Sequence, residues 1–157
     1  MGIALSSIGV KISYAVESSA GTRPTTGYTL LPDIKSIPDF NPQPNTADAT
    51  TFDNLEYTSY VRLLKDMGGA IEFTANFTQA LYDAWTGMIS AFDALSGGKK
   101  LWWCVNIKGF DKSIYFTCDP SPIGLSATEV NSLLETTLYV VPTGEPIFAD
   151  DPTDQTN

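Results

Sequence analysis

The segment from Leu31 to Glu56 constrains the fold more than any other part of the chain. Its prolines, at 32, 38, 42 and 44, remove backbone donors and fix φ, so it cannot form a continuous helix or a central strand. Compact domains rarely carry so long a connection without a function. The sequence therefore predicts an extended arm that contacts a partner through dispersed apolar residues. These are Leu31, Ile34, Ile37, Phe40, Phe52 and Leu55.

The segments on either side of the arm predict strands. Apolar and polar residues alternate from Ile8 to Val16 and again from Ile71 to Phe77, which is the period of a strand with one buried face. Aromatic and β-branched residues predict a hairpin over 101–118, and a last strand follows over 133–141. The long first and last strands are expected at exposed sheet edges, since neither Pro nor Lys blunts them.

One helix is predicted at about 78–96. Thr78 or Asn76 can cap its start, and Gly97 with Gly98 can end it in a left-handed conformation. One stripe of the helix is apolar and predicts packing on a sheet. The stripe consists of Leu81, Trp85, Met88, Phe92 and Leu95.

Length and composition fit one domain with a short tail. The chain has 157 residues, and its 43% of hydrophobic residues are enough to fill a single core. We expect one β domain over 1–148, with the arm at about 31–56. The segment 149–157 contains repeated acids and few apolar residues, which predicts a flexible tail.

The charged and reactive residues argue against several classes of function. Nine Lys and Arg against eighteen Asp and Glu give a net charge of −9, which opposes binding to phosphate backbones and anionic lipid. Histidine is absent from the sequence, which disfavours most hydrolase mechanisms and the usual zinc sites. We therefore assign no catalytic, cofactor-binding or metal-binding residue, and we expect a protein that is not an enzyme.

Two cysteines lie on the predicted hairpin. Cys104 and Cys118 are assigned the same parity, which places them on one side of the sheet as diagonal neighbours. In a reducing cytoplasm, buried free thiols are favoured over a disulfide.

The exposed edges and the arm together predict self-assembly. An edge can pair laterally with a second copy, while the arm supplies a contact in another direction. Two different heterologous contacts generate rings and then stacks of rings.

Four phrases of the sequence resemble the major tail, or tail tube, proteins of long-tailed, siphovirus-like bacteriophages. They are GIALSSIGVKISYAVE, GTRPTTGYTLLPDIKSIPDFNPQP, LKDMGG and VNSLLETTLYVVPTGEPIF. Their order along the chain also agrees, and the resemblance covers nearly the whole chain. The resemblance implies a mainly β fold with one α-helix, an antiparallel β-sandwich or barrel that carries a long arm loop. It also implies hexameric rings, stacked into a hollow tube around a tape-measure protein.

The resemblance further implies partners and contact residues. The partners are other copies of the chain, the tape-measure protein, and tail terminator and tail-tip proteins, in a virion made in the host bacterial cytoplasm. DNA passes through the tube without specific binding, and no membrane and no cofactor take part. The arm would contact the next ring through Ile37, Phe40, Phe52 and Leu55. Strands within a ring would meet at Ile8, Val10, Ile12, Leu138 and Val140. Charged substitutions at Phe40 or Phe52 are expected to spare the fold and weaken stacking.

Two other functions stay open at the level of sequence. One is a tube subunit of a contractile tail or a secretion-like machine, which the sequence distinguishes poorly from the tail tube protein of a long-tailed phage. The other is a small β-sandwich module whose exposed tryptophans stack on sugar rings.

Overall fold

The chain folds into a mainly β domain with one helix, as predicted. The computed structural model describes residues 4–6, 8–41, 43–53, 56–66 and 69–153. The first strands are β1 (Lys11–Val16), β2 (Thr29–Leu31), β3 (Ile34–Ser36), β4 (Gln43–Asp48), β5 (Tyr60–Asp66) and β6 (Ile71–Asn76). The helix α1 (Gln79–Asp93) follows, and then come β7 (Leu101–Asn106), β8 (Lys112–Pro120), β9 (Glu135–Pro142) and β10 (Ile147–Asp150).

The main sheet is antiparallel and curls into a half-barrel. Its strands run in the order β2, β1, β7, β8, β9, β6, β3, with β10 also paired to β8. The two ends of this path, β2 and β3, are separated along the chain by only Pro32 and Asp33. A sheet whose first and last strands are joined by two residues must curl, because a flat sheet would hold those strands many strand widths apart.

Asp33 makes the connection between the two ends of the sheet. Its φ of 63° is left-handed, a conformation in which Asp is tolerated better than most residues. The Asp33 carbonyl accepts a hydrogen bond from the Asn76 N–H at 2.9 Å, and its carboxylate accepts one from the Thr78 hydroxyl at 2.5 Å. One residue therefore connects the edge strand, the end of β6 and the start of the helix.

Helix α1 begins at the position that its capping residue predicts. Thr78 is extended, with φ −126° and ψ 161°, and its hydroxyl accepts a hydrogen bond from the Leu81 N–H at 3.1 Å. The stripe predicted from sequence faces the sheet, with Leu81, Trp85 and Met88 buried. The indole N–H of Trp85 donates to the Ser121 carbonyl at 2.9 Å, so this large side chain enters the core with its polar group paired.

Aromatic rings fill the concave side of the sheet. Trp103 is the centre of this cluster, with ring centroids 5.0 Å from Phe73, 5.8 Å from Trp85 and 5.9 Å from Phe116. The Trp85 and Trp103 planes stand at 89°, the edge-to-face arrangement that aromatic quadrupoles favour. The concave face is therefore the main core of the domain.

The convex face has a second, smaller cluster beneath the loop after β1 and strand β10. Ala15, Tyr28, Cys104 and Tyr115 are buried there. Arg23 stacks on the Tyr115 ring at 4.2 Å, and the Tyr115 hydroxyl donates to the Asp150 carbonyl at 2.6 Å. The loop after β1 and strand β10 thus cover a face of the sheet that would otherwise be exposed.

The two cysteines lie on opposite faces of the sheet, so the parity assigned to them from sequence is wrong. Cys104 is paired with Tyr115 in the β7–β8 register and belongs to the convex cluster, whereas Cys118 belongs to the main core. Both are buried free thiols, and burial raises the pKa of each. Facing opposite ways, they cannot form a disulfide with each other.

The first and last predicted strands do not lie at sheet edges, which corrects the expectation from sequence. β1 begins at Lys11 rather than Ile8 and is flanked by β2 and β7, while β9 is flanked by β6 and β8. The reason is that β2 pairs along the outer side of β1, while β6, with the short strand β3 beyond it, pairs along the outer side of β9.

The described part of the acidic end packs on the domain. β10 extends past position 148, the predicted end of the domain, and pairs with β8. The Asp151 carboxylate accepts from the Ser113 hydroxyl at 2.5 Å, and the Thr153 N–H donates to the Thr25 carbonyl at 3.1 Å. Residues 149–153 thus differ from a flexible tail, because their acids have hydrogen-bond donors on β8.

A buried carboxylate joins the loop after β1 to the start of β7. Glu17 is 3% exposed and accepts hydrogen bonds from the Trp102 indole N–H at 2.8 Å, the Gly21 N–H at 2.9 Å and the Lys100 N–H at 3.2 Å. Burial alone raises its pKa, but these three donors and the Lys100 charge outweigh burial, and the pKa lies below its ordinary 4.5. The folded protein therefore favours the ionised form of Glu17.

We predict that Thr78→Ala lowers the free energy of unfolding by about 0.5–2 kcal/mol, because it removes the helix cap and the bond to Asp33. Thr86→Ala is the matched control, since Thr86 lies within the same helix and bonds only to carbonyls of the preceding turn. Urea denaturation measures both. Equal losses in the two variants would contradict the capping role.

We predict that Glu17→Gln costs about 1.5–3 kcal/mol at pH 7, because one acceptor oxygen becomes an NH₂ group. Whichever way the amide turns, this group faces an N–H donor, either the Trp102 indole or the backbone of Gly21 and Lys100. A carboxyl with a lowered folded pKa stabilises the fold above its unfolded pKa, and this contribution is lost as the pH falls through the folded pKa. The difference between wild type and variant should therefore shrink well below pH 4.5. Glu129→Gln, at an exposed position, is the control in urea titrations at each pH. A difference independent of pH would disprove the charge-based account.

Candidate assembly surfaces

The arm contains a two-stranded antiparallel ribbon formed by β4 and β5. Paired residues run from Gln43 opposite Asp66 to Asp48 opposite Tyr60, with a register shift between Pro44 and Thr46. In the part of the chain that the structure describes, these strands pair only with each other. The arm is thus not structureless, and Pro44 is accommodated because the ribbon is all edge.

The tip of the ribbon is closed by local hydrogen bonds. The Ala49 N–H donates to the Ser59 carbonyl at 2.8 Å, and the Ser59 N–H donates to the Thr50 hydroxyl at 2.8 Å. The Asp48 carboxylate accepts from the Thr50 N–H at 2.8 Å. These bonds extend the pairing past the last register pair and fix the local conformation of the tip.

Aromatic and apolar side chains project from the ribbon into solvent. Phe52 at the tip is fully exposed, and Tyr57, Tyr60 and Val61 are more than half exposed. A two-stranded hairpin alone is marginally stable in water, so a ribbon with this surface has much to gain by packing against a partner.

The four residues predicted for ring-to-ring contact occupy different environments. Phe52 lies at the exposed tip, and Ile37 is at the border between half-buried and exposed. Phe40 is half-buried, with its ring centroid 5.2 Å from Phe116 and 6.2 Å from Phe73. Leu55 lies outside the described residues. The structure argues against the expectation that a charge at Phe40 spares the fold, because the Phe40 ring packs against the core of its own subunit.

The residues predicted for contacts within a ring face mostly inward. Ile12, Leu138 and Val140 are buried in the main core, Val10 packs against its border, and Ile8 is exposed in a turn before β1. Their role in a ring stays a prediction. On β9 it is Tyr139 and Val141 that point outward, each about two-fifths exposed.

A second apolar surface lies in the connection between β8 and β9, and sequence reasoning did not single it out. Its side chains are aliphatic and scattered among small polar residues, so the only available signal was their density before β9. The exposed residues are Leu125, Val130, Leu133 and Leu134.

Two ion pairs stabilise edges of the fold close to the arm. Lys35 on β3 pairs with Glu135, and Lys112 on β8 pairs with Asp150 on β10. The hydrogen bond and charge of Lys112 lower the pKa of Asp150, and the same bond and charge raise the pKa of Lys112. Both pairs are exposed to solvent, so each contributes little to stability.

An open cleft lies at the root of the ribbon. Residues 38–41 form one wall, and the β8–β10 pair supplies Ile114 and Phe148, with Pro146 beside them. Its volume is about 380 Å³. We call it the root cleft.

Metal-binding clusters and membrane-spanning helices can both be assessed for the described residues. No group of three or more His, Cys, Asp or Glu side chains among them is placed to hold a metal ion. Within the same residues, no helix is both long enough and apolar enough to span a bilayer.

Two solved structures share this fold over almost their whole length. A chain of the anti-feeding prophage baseplate, from a sixfold-symmetrised cryo-EM structure, superposes with a TM-score of 0.65 at 7% identity, covering 96% of this chain and 98% of the other. A chain from the tail of an empty GTA particle, refined helically with C6 symmetry, gives a TM-score of 0.59 at 14% identity and covers 93% and 99%. No protein-family model and no curated protein matches the sequence.

We predict that Phe40→Asp and Phe52→Asp differ sharply in stability. The first places a charge against Phe116 and Phe73 and should cost about 2–4 kcal/mol. The second changes a fully exposed tip and should stay within about 0.5 kcal/mol of wild type. Urea denaturation of dilute protein tests the pair. A large loss at Phe52 would show that the tip packs within its own subunit.

Proposed function

We propose that this chain is a structural, non-enzymatic subunit of a phage-type tail, which polymerises as stacked hexameric rings into the tail tube. The observation that carries this proposal is the β4–β5 ribbon, which extends an aromatic tip beyond its own fold. Such a surface needs another molecule to cover it, and a second copy of the chain is always at hand during assembly.

The structural neighbours support the ring and its symmetry. Both belong to particles described with sixfold symmetry, one a baseplate and one a tail. Each matches this chain over nearly its full length, so the comparison concerns the whole fold rather than a fragment of it. A subunit of this fold that closes laterally after six copies forms a ring, and the ribbon then joins one ring to the next.

The charge of the chain suits a conduit for DNA. A net charge of −9 per subunit amounts to a strongly negative ring, whose field repels phosphates and keeps DNA from adhering during ejection. In this role the tape-measure protein fills the lumen before ejection, terminator and tip proteins close the two ends, and the assembled tube resides in the virion.

The second candidate is the tube of a contractile tail or a secretion-like machine. The observation behind it is that one structural neighbour comes from a baseplate rather than from a tail. The chemistry of assembly is the same in both readings, and they differ in what surrounds the tube.

The structure argues against the alternative function of a carbohydrate-binding module. That reading required exposed tryptophans, but Trp85 and Trp103 are buried in the core, and Trp102 is half-buried with its N–H bound to Glu17. On β7, Trp103 belongs to the main core, whereas Trp102 packs against the cluster on the other face.

Negative-stain electron microscopy of the concentrated protein, with light scattering for mass, tests the proposal. Wild type should form hollow rings or tubes, and Phe52→Asp should leave rings or smaller species, because the tip no longer packs on the next ring. Tyr82→Asp, which changes an exposed aromatic on α1, should assemble like wild type. Assemblies without sixfold symmetry, or tubes unaffected by Phe52→Asp, would contradict the assigned roles.

A further inference from the structure

We propose that the aromatic tip of the ribbon in one copy inserts into the root cleft of the next copy, with Phe52 as the residue that enters. This inference rests on the proposed function and names the acceptor surface for its axial contact. The cleft and the tip are separate features of the same chain, and their positions make them complementary between copies but not within one.

The tip cannot reach the root cleft of its own chain. Asn41 lies at the cleft, two positions before β4 begins at Gln43, whereas Phe52 lies beyond the far end of the ribbon. The pairing from Gln43 opposite Asp66 to Asp48 opposite Tyr60 keeps the ribbon extended between them. Because the tip and the root cleft lie at opposite ends of one rigid ribbon, the tip can bind only the cleft of another molecule. Such contacts join copies in a head-to-tail series.

The chemistry and size of the cleft suit an aromatic side chain. Its walls include Phe40, Ile114, Pro146 and Phe148, and Phe148 meets Phe110 edge-on with ring centroids 6.3 Å apart. A cavity of about 150 Å³ is enough to bind benzene. The root cleft, at about 380 Å³, therefore has room for the Phe52 ring and part of its neighbour.

The area available is close to what a stable contact needs. An aromatic side chain buries roughly 150–250 Å². The three exposed aromatics of the ribbon, Phe52, Tyr57 and Tyr60, thus offer most of the roughly 800 Å² per partner of a standard interface. In a ring several such contacts form together, so each can be weak while the stack is stable.

The length of the arm limits the spacing of the copies. If Phe52 of one copy occupies the cleft of the next, related points in the two copies are separated by the span from Asn41 to Phe52. A fully extended chain of that length spans at most roughly 40 Å. The axial repeat of the tube should therefore not exceed about 40 Å, which its diffraction or layer spacing measures directly.

Directed disulfide formation tests the contact. The double variant Phe52→Cys with Phe148→Cys, oxidised under assembly conditions, should give a ladder of covalent multimers on a non-reducing gel. A mixture of the two single variants should give covalent dimers and no ladder. Native Cys104 and Cys118 are buried and contribute no background. Both replaced side chains are exposed, and a urea denaturation of each variant checks that the fold is kept.

Phe52→Cys with Tyr82→Cys is the matched control, since Tyr82 is an exposed aromatic on α1 away from the cleft. The cleft pair should cross-link on the order of a hundredfold faster, because a specific contact raises the local thiol concentration to roughly millimolar. Two outcomes would overturn the cleft as the acceptor and leave the tube function standing. One is a sample that forms tubes by microscopy but gives no ladder, and the other is a single variant Phe52→Cys that cross-links to itself as fast as the cleft pair does. Failure to form rings or tubes with wild type as well would overturn the proposed function.

Discussion

The two-residue connection between β2 and β3 is the constraint on which the rest of the structure depends. Because Pro32 and Asp33 join the two ends of the strand path, the sheet must curl, and only a curled sheet encloses the aromatic cluster around Trp103. Asp33 also binds Asn76 and Thr78, so the same link fixes where β6 ends and α1 begins. The arm leaves the domain directly after this closure, and its direction is set by the short strand β3, which is paired to β6.

The arm divides into a part that belongs to the core and a part that does not. Phe40 packs on Phe73 and Phe116, which anchors the root, while β4 and β5 pair only with each other among the described residues. This division explains how one segment can be rigidly attached and still reach another molecule. Stability and assembly are therefore carried by different residues of the same segment, and mutations in it need not affect both.

Local periodicity made much of the fold predictable from sequence. The helix follows from its stripe around Trp85 and its cap at Thr78, and the β7–β8 hairpin follows from its aromatic and β-branched residues. The predictions that proved wrong concern features that depend on strand register and on short strands. β2 has too few residues to show a period, and the sides taken by Cys104 and Cys118 depend on a hairpin register in which a shift of one residue reverses every side chain. The role of Glu17 was also missed, since its three donors come together only in the folded chain. At the candidate site, the arm and Phe52 were readable from sequence, but the root cleft was not, because residues 38–41 meet β8 and β10 only through the curl of the sheet.

The ribbon also has a direction, since its tip and its root carry different chemistry. Any filament in which one engages the other is polar, with bare aromatic tips displayed at one end and vacant clefts at the other. A protein that caps the first end must offer a cavity, and one that caps the second must offer a protruding ring, so the same cap cannot serve both. Growth can then be confined to a single end by blocking either surface alone.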